Sequence, residues 1–308
     1  MSTPSRTLST AQQYRAGRSP QLFLLAAVLC TGALAWTYYA FVRTTTGQFA
    51  DESAWREAGV AAPEPGPALE FLDRLPVISV VVAAAVILFV SLARHRWAAS
   101  LVALGSILGA NLTTQVLKNV ILDRPDRGVA TLDFNSLPSG HTTLAASAVA
   151  AVFLVVAPRW RPLAAAAGGT YAVVAGAATF INLWHRPADV VAALLVVSIW
   201  TLIGGLVIMR MGDSWNVWNG YGTDWVASRW WLVLCWVGGL GGLTCAAGLY
   251  LYAQDAGPGQ VPGSDTVPLY FWSGLALIIG VGYLLAGIAG SLFGQQTRVA
   301  TDVPERRA

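Results

Sequence analysis

Residues 135–143 read Asn135-Ser136-Leu137-Pro138-Ser139-Gly140-His141-Thr142-Thr143 and lead directly into an apolar run. The change from a polar turn to an apolar run predicts a helix that begins near Thr142. Unpaired N–H groups in a helix's first turn, together with its dipole, attract anions. Gly140 permits close backbone approach, Ser139 can cap the helix or bind a phosphate oxygen, and His141 titrates near neutral pH. The stretch therefore predicts an anion site or a well-capped helix.

The composition sets the class of protein. The chain has 308 residues, of which 55% are hydrophobic and 11% are charged, too apolar a balance for an ordinary soluble domain. Uncharged runs of membrane-spanning length predict an all-α polytopic membrane protein, with membrane lipids and no nucleic acid as partners. Three cysteines lie in apolar runs without metal-ligand spacing, so no disulfide is expected: Cys30, Cys235 and Cys245.

Eight apolar runs are expected to cross the membrane. The first six form a core within residues 21–209, and two additional spans lie within residues 230–293. The approximate spans are Gln21–Val42, Leu75–Ala93, Trp97–Leu117, Thr142–Ala157, Leu163–Trp184, Val190–Met209, Trp230–Tyr252 and Leu269–Phe293.

Polar segments separate these runs. Residues 1–20 and 294–308 are expected to be tails, and residues 44–74 a hydrophilic loop. The tryptophan-rich residues 210–229 are expected to lie on the membrane surface, either as an amphipathic segment or as a loop anchored by its aromatic side chains.

The distribution of arginines predicts the orientation. Basic residues concentrate in both tails and in alternate turns, including Arg94-His95-Arg96 and Arg159-Trp160-Arg161. By the positive-inside rule these segments face the cytoplasm, with both termini. The connections around residues 118–141 and 185–189 then lie together on the extracytoplasmic side.

Several charged residues meet on that side. Lys118 shares one predicted helix face with Asn111 and Gln115, a polar stripe that should face the bundle. Considered alone, Lys118 is interpreted as an interfacial lysine whose side chain extends to the headgroup layer. Arg124 and Arg127, considered alone, are interpreted as loop cations. Their convergence with His141 favours a shared site.

His185 and Asp189 form the second half of this site. They are four residues apart, which brings them together in a helix, and Pro187 suits that helix's first turn. A carboxylate beside a histidine leaves the other ring nitrogen free as a nucleophile or base. A satisfied interfacial His–Asp pair is the alternative. A metal site is the other alternative, but the nearby lysine and arginines would repel a divalent cation.

Together, cations, a helix N-terminus and two histidines describe a site for a phosphate ester. The cations and the helix end would hold the phosphoryl group, one histidine would attack it, and the other would protonate the leaving oxygen.

These residues resemble the type 2 phosphatidic acid phosphatase family, the haloperoxidase-like lipid phosphatases. Pro138-Ser139-Gly140-His141 and the His185/Asp189 spacing match its motifs over about residues 75–209. Lys118 and Arg124-Pro125 are separated by five residues, one fewer than in the family. The family's Ser-Arg pair is replaced by Ala178-Thr179.

The resemblance implies a six-helix core, no metal or other cofactor, and a phosphohistidine intermediate. It makes His185 the nucleophile, Asp189 its orienting carboxylate and His141 the general acid. It assigns phosphate binding to Lys118, Arg124, Ser139 and Gly140. We add the hypothesis that Arg186 replaces the guanidinium missing at Thr179.

The expected function is therefore hydrolysis of lipid phosphate or pyrophosphate esters at the extracytoplasmic interface. Phosphatidic acid, phosphatidylglycerol phosphate and polyprenyl pyrophosphate all fit. The alternatives are a lipid phosphotransferase that uses another alcohol as acceptor and a non-catalytic membrane protein that retains the fold. The sequence leaves the oligomeric state open, a homodimer included.

Overall fold

The computed structural model describes residues 13–15, 21–61, 67–210, 224–255, 267–296 and 299–301. Within these ranges the chain is almost entirely helical, which confirms the all-α membrane class. Its helices are α1 (Gln21–Val42), α2 (Thr45–Ala61), α3 (Pro67–Arg94), α4 (Trp97–Val116), α5 (Gly140–Val155), α6 (Arg161–Ile181), α7 (Pro187–Arg210), α8 (Trp230–Asp255) and α9 (Leu269–Gln296). Two short strands, β1 (Gln13–Arg15) and β2 (Val299–Thr301), pair antiparallel.

Seven of the described helices are long and apolar enough to cross a membrane, which identifies a multi-pass protein. The fourth expected span, α5, has 16 residues and a length of about 24 Å. That is shorter than the hydrocarbon core of a bilayer, about 30 Å thick. The predicted total of eight spans therefore depends on whether α5 crosses.

The connection between the first two spans differs from expectation. Residues 44–74 were predicted to be a hydrophilic loop, but they contain α2 and the start of α3. The low mean hydropathy of α2 concealed a buried face on which Ala50, Ala54 and Ala58 recur every four residues. Because acids share that helix, its packing against other helices was not visible as an apolar run.

The centre of the bundle is formed by α5 and α7. Helix α5 packs against α3, α4, α6 and α7, while α7 also contacts α1 and α9. Many of the buried residues on these two helices are alanines and valines, whose small side chains let helices approach closely. The site residues at the ends of α5 and α7 are thus held by the most buried part of the fold.

Helices α8 and α9 form a closely packed antiparallel pair beside this core. A Cβ atom added at Gly242 would lie 2.6 Å from Gly280 Cα, and one at Gly239 would lie 2.7 Å from Leu284 N. Glycine is therefore required for this backbone contact. The pair is attached to the core mainly through α9, which packs against α6, α7 and α2.

Most of the predicted surface segment at residues 210–229 lies outside the described residues. Its described end contains a 3-10 turn, Trp225–Ala227, and the Trp231 indole donates a hydrogen bond to the Trp225 carbonyl at 2.7 Å. The placement of that segment on the membrane surface stays a prediction.

Candidate active site

The quoted turn caps α5. Ser139 is the N-cap residue, and its hydroxyl accepts a hydrogen bond from the Thr142 N–H at 3.3 Å. The Ser139 N–H in turn donates to the Asp189 carbonyl at 2.9 Å. One serine thus joins the start of α5 to the start of α7. Gly140 is the first residue of α5, so its N–H has no intrahelical acceptor.

Asp189 orients His185. The His185 Nδ1 lies 3.1 Å from Asp189 Oδ2, which also accepts the Arg186 N–H at 3.2 Å. The Ser136 hydroxyl donates to the other oxygen, Oδ1, at 3.1 Å. Asp189 is completely buried and bonded through both oxygens, so in a neutral imidazole it favours the tautomer that carries the proton on Nδ1 and leaves Nε2 free.

The turn before His185 is shaped by Thr179. The Thr179 carbonyl accepts hydrogen bonds from the N–H groups of Trp184 and His185, at 3.0 and 3.1 Å. Its hydroxyl lies 3.3 Å from that of Thr142 and donates to the Gly176 carbonyl. The position that carries an arginine in the resembled family therefore holds a short, buried side chain that joins α5 to α6.

The two histidines face one another. Their ring centroids are 6.3 Å apart, and the Trp184 ring lies 4.9 Å from that of His141. His141 is exposed, whereas His185 is only 7% exposed. This arrangement pairs a buried, oriented imidazole with a second imidazole that solvent can reach.

Arg124 brings a buried positive charge to this region. Its side chain lies in the connection between α4 and α5 and is 8% exposed. None of its three guanidinium nitrogens has a hydrogen-bond partner among the residues that the structure describes. A buried, unpaired cation is costly. An anionic ligand would supply the missing acceptors.

Lys118 is placed at the same end of the bundle. It lies in a π-helical turn, Leu117–Ile121, that extends α4, and it is half-buried. The Asn135 amide donates to the carbonyls of Lys118 and Leu137, at 3.3 and 2.6 Å. Asn135 thus ties the lysine's turn to the segment that caps α5.

Arg186 is engaged elsewhere. Its Nε and Nη2 donate to Glu52 Oε2 at 2.9 and 2.6 Å, and Nη2 also donates to the Thr131 hydroxyl at 3.1 Å. The guanidinium lies over the Trp55 ring. Its role as a replacement for the family's arginine stays a prediction, and the geometry gives it a buried carboxylate as partner instead.

Pairing with Arg186 also lowers the pKa of Glu52. Burial alone would raise the pKa of Glu52, but the hydrogen bonds and charge of Arg186 outweigh it, so the pKa is lowered. Glu52 is therefore ionised when it binds Arg186, as a buried ion pair requires.

Sequence reasoning missed the contribution of α2. Asp51 Oδ1 accepts the Ala188 N–H at 3.0 Å, beside Asp189 at the start of α7. Glu57 accepts the Phe271 N–H at 2.8 Å, at the start of α9. The available signal was a segment whose alanines recur every four residues, at the period of a helix.

The fold and the site define a polytopic helical membrane protein with a two-histidine site at one end of the bundle. Residues 99–214 match the family model described as PAP2 superfamily. This match confirms the resemblance to the type 2 phosphatidic acid phosphatases over that segment. The match supports a phosphatase, a hydrolase, acting on lipid or related phosphates. Searches of curated proteins and of solved structures found no match.

Proposed function

We propose that this protein is a metal-independent lipid phosphate phosphatase that works through a phosphohistidine intermediate. The observation that carries the proposal is the His185–Asp189 hydrogen bond beside His141, whose ring centroid lies 6.3 Å from that of His185. The match to the superfamily supports the reaction class, and the buried, unpaired Arg124 supports an anionic substrate.

The reaction has two steps. His185 Nε2 attacks the phosphorus atom while Asp189 holds the Nδ1 proton, and the bond from phosphorus to the leaving oxygen breaks. Protonated His141 gives its proton to that oxygen, which leaves as an alcohol or, from a pyrophosphate, as the lipid monophosphate. Neutral His141 then removes a proton from water, whose oxygen attacks the phosphohistidine and releases phosphate with His185 restored.

Arg124, Lys118 and the start of α5 would bind the phosphoryl oxygens. A Cβ added at Gly140 would meet only Gln115 Nε2, at 3.7 Å, so packing within the protein does not demand a glycine there. Close approach of a phosphate to the Gly140 N–H would demand it. The unpaired guanidinium of Arg124 supplies donors in a fixed planar arrangement suited to phosphate.

The site is proposed to face the extracytoplasmic side, with both termini in the cytoplasm. The arginine distribution supports this orientation. Because the site lies at the ends of membrane-embedded helices, its depth suits a phosphate attached to a lipid.

The test is phosphate release by the purified protein across phosphatidic acid, phosphatidylglycerol phosphate and polyprenyl pyrophosphate. His185→Ala and His141→Ala are expected to abolish release, while a chelator leaves it unchanged. Loss of activity with the chelator would exclude the metal-independent mechanism. A product formed with an added alcohol, in place of free phosphate, would identify a transferase. No release and no trapped phosphoenzyme on any lipid would favour the non-catalytic alternative.

A further inference from the structure

A group of buried polar atoms lies between α2 and the segment that carries Arg124. Among the described residues, Gln48 Oε1, Asp51 Oδ2 and all three guanidinium nitrogens of Arg124 have no hydrogen-bond partner. The three residues are 0%, 2% and 8% exposed, respectively. Buried polar groups are rarely left unpaired. Their grouping indicates a function beyond packing.

Gln48 places α2 against the arginine's segment. Its amide nitrogen donates to the carbonyls of Val42 and Pro125, each at 2.8 Å. Pro125 directly follows Arg124, and Asp51 lies one helical turn after Gln48. The hydrogen bond from Gln48 to Pro125 therefore fixes where the backbone at Arg124 lies along α2, relative to Asp51.

Asp51 also reaches the catalytic turn. Its Oδ1 accepts the Ala188 N–H at 3.0 Å, next to the carboxylate that orients His185. A carboxylate at a helix N-terminus stabilises the first turn through its N–H groups and dipole. One oxygen of Asp51 thus binds α7, and the other accepts no hydrogen bond from any residue that the structure describes.

The charge state of Asp51 depends on its neighbours. The pKa of this carboxyl is raised to about 7, first by burial and then by the charge of Asp189. The Ala188 N–H and the charges of Arg124 and Arg186 act in the opposite direction. These are the charged groups that face Asp51 from α7 and from the segment after α4.

We propose that Asp51 is a positioning residue which holds the start of α7 and serves as the buried counter-charge of Arg124 until phosphate binds. The inference rests on the proposed role of Arg124 in phosphate binding. It also assigns a role to α2, which lies outside the segment matched to the superfamily.

The proposal predicts how phosphate affinity depends on pH. When Asp51 is ionised, its charge offsets that of Arg124 and weakens phosphate binding. When Asp51 is protonated, Arg124 is fully available. Phosphate's own ionisation changes over the same range, so the wild-type protein has to be compared with a variant that differs only at this carboxyl.

The experiment measures binding of inorganic phosphate to the purified full-length protein between pH 6 and pH 8, by calorimetry. Asp51→Asn keeps an acceptor for the Ala188 N–H but removes the charge. We expect it to bind phosphate as wild type does at pH 6 and about tenfold more tightly at pH 8. Its turnover number should change less than that of Asp51→Ala, which loses the contact with α7.

Glu57→Gln is the matched control. Glu57 is a buried acid on the same helix as Asp51, but it accepts a hydrogen bond at the start of α9 instead of α7. It should follow wild type at every pH. If Asp51→Asn does not accumulate, Asp51→Ser provides a neutral, shorter acceptor.

Two failures can be told apart. If wild type binds phosphate and Asp51→Asn follows it at every pH, the role of Asp51 is overturned and the proposed function stands. If wild type neither binds phosphate nor releases it from any lipid, the proposed function fails and this inference fails with it.

Discussion

Individual residues in this site depend on partners that are far away in the chain. The Arg186–Glu52 contact joins residues 134 positions apart, and the Ser136–Asp189 contact joins residues 53 positions apart. The motif residues were recognisable from local spacing, whereas the hydrogen bonds that set their protonation and orientation were not.

Asp189→Asn should reduce turnover by about a thousandfold or more, because an amide facing Nδ1 favours the wrong imidazole tautomer. The protein should remain folded, since the amide keeps the size of the side chain. Steady-state kinetics on the best lipid substrate measures this, with Glu57→Gln as the control. A variant with wild-type turnover would remove Asp189 from the mechanism.

Arg186→Met should destabilise the protein by about 3 kcal/mol, because Glu52 loses its buried partner and keeps only the more exposed Arg56 and the Thr131 hydroxyl. Adding Glu52→Gln should recover much of that loss. Thermal unfolding of the single and double variants in detergent measures the coupling. If the folded double variant still has far lower turnover than Glu52→Gln alone, Arg186 acts on phosphate, as the sequence-based hypothesis states.

The raised pKa of Asp51 should make the protein less stable as pH rises. The native state keeps this proton up to about pH 7, whereas the unfolded chain releases it near the ordinary aspartate pKa of 3.8. Unfolding is therefore favoured progressively between these two values. The unfolding midpoint of Asp51→Asn should therefore rise relative to that of wild type as pH increases over the same range. If the difference between the two unfolding midpoints does not change with pH, the pKa of Asp51 is not raised in the native state.

At the scale of elements, the joint between α1 and α2 is tightly packed. A Cβ added at Gly47 would collide with the carbonyl of Ala40. The joint also sets the position of α2, from which Asp51 and Glu52 reach the site.

Gly47→Ala should therefore lower the thermal unfolding midpoint and turnover together, because the backbone must shift at this joint. Gly105→Ala is the control, since a Cβ there would meet nothing within 4 Å. That change should be neutral or slightly stabilising, as alanine is the better helix former. If the two variants have the same unfolding midpoint and turnover, the backbone at the joint between α1 and α2 can move without loss of stability or activity.

At the scale of the whole molecule, the membrane topology depends on α5. If this short helix crosses, Arg127 and Arg159, which lie in the connections at its two ends, face opposite sides of the membrane. The charge distribution predicts that residue 127 is outside and residue 159 inside.

Single cysteines at these exposed positions, Arg127→Cys and Arg159→Cys, test this prediction after the native cysteines are replaced by alanine. A membrane-impermeant maleimide should label residue 127 in intact cells and label residue 159 only after lysis. Labelling of both from outside would mean that α5 does not cross. The reverse pattern would invert the predicted orientation.

The sequence by itself determined the membrane class, closely placed most of the expected spans, and singled out the two histidines with Asp189. These properties follow from hydrophobic runs of bilayer length and from spacings of a few residues, which act locally along the chain. Tertiary structure alone decided that residues 45–61 form a helix with buried acids, that Arg186 pairs with Glu52, and that Arg124 is buried with no hydrogen-bond partner in the described part of the chain. The physical reason is that burial and ion pairing depend on which helices meet, and segments far apart in sequence supply those contacts.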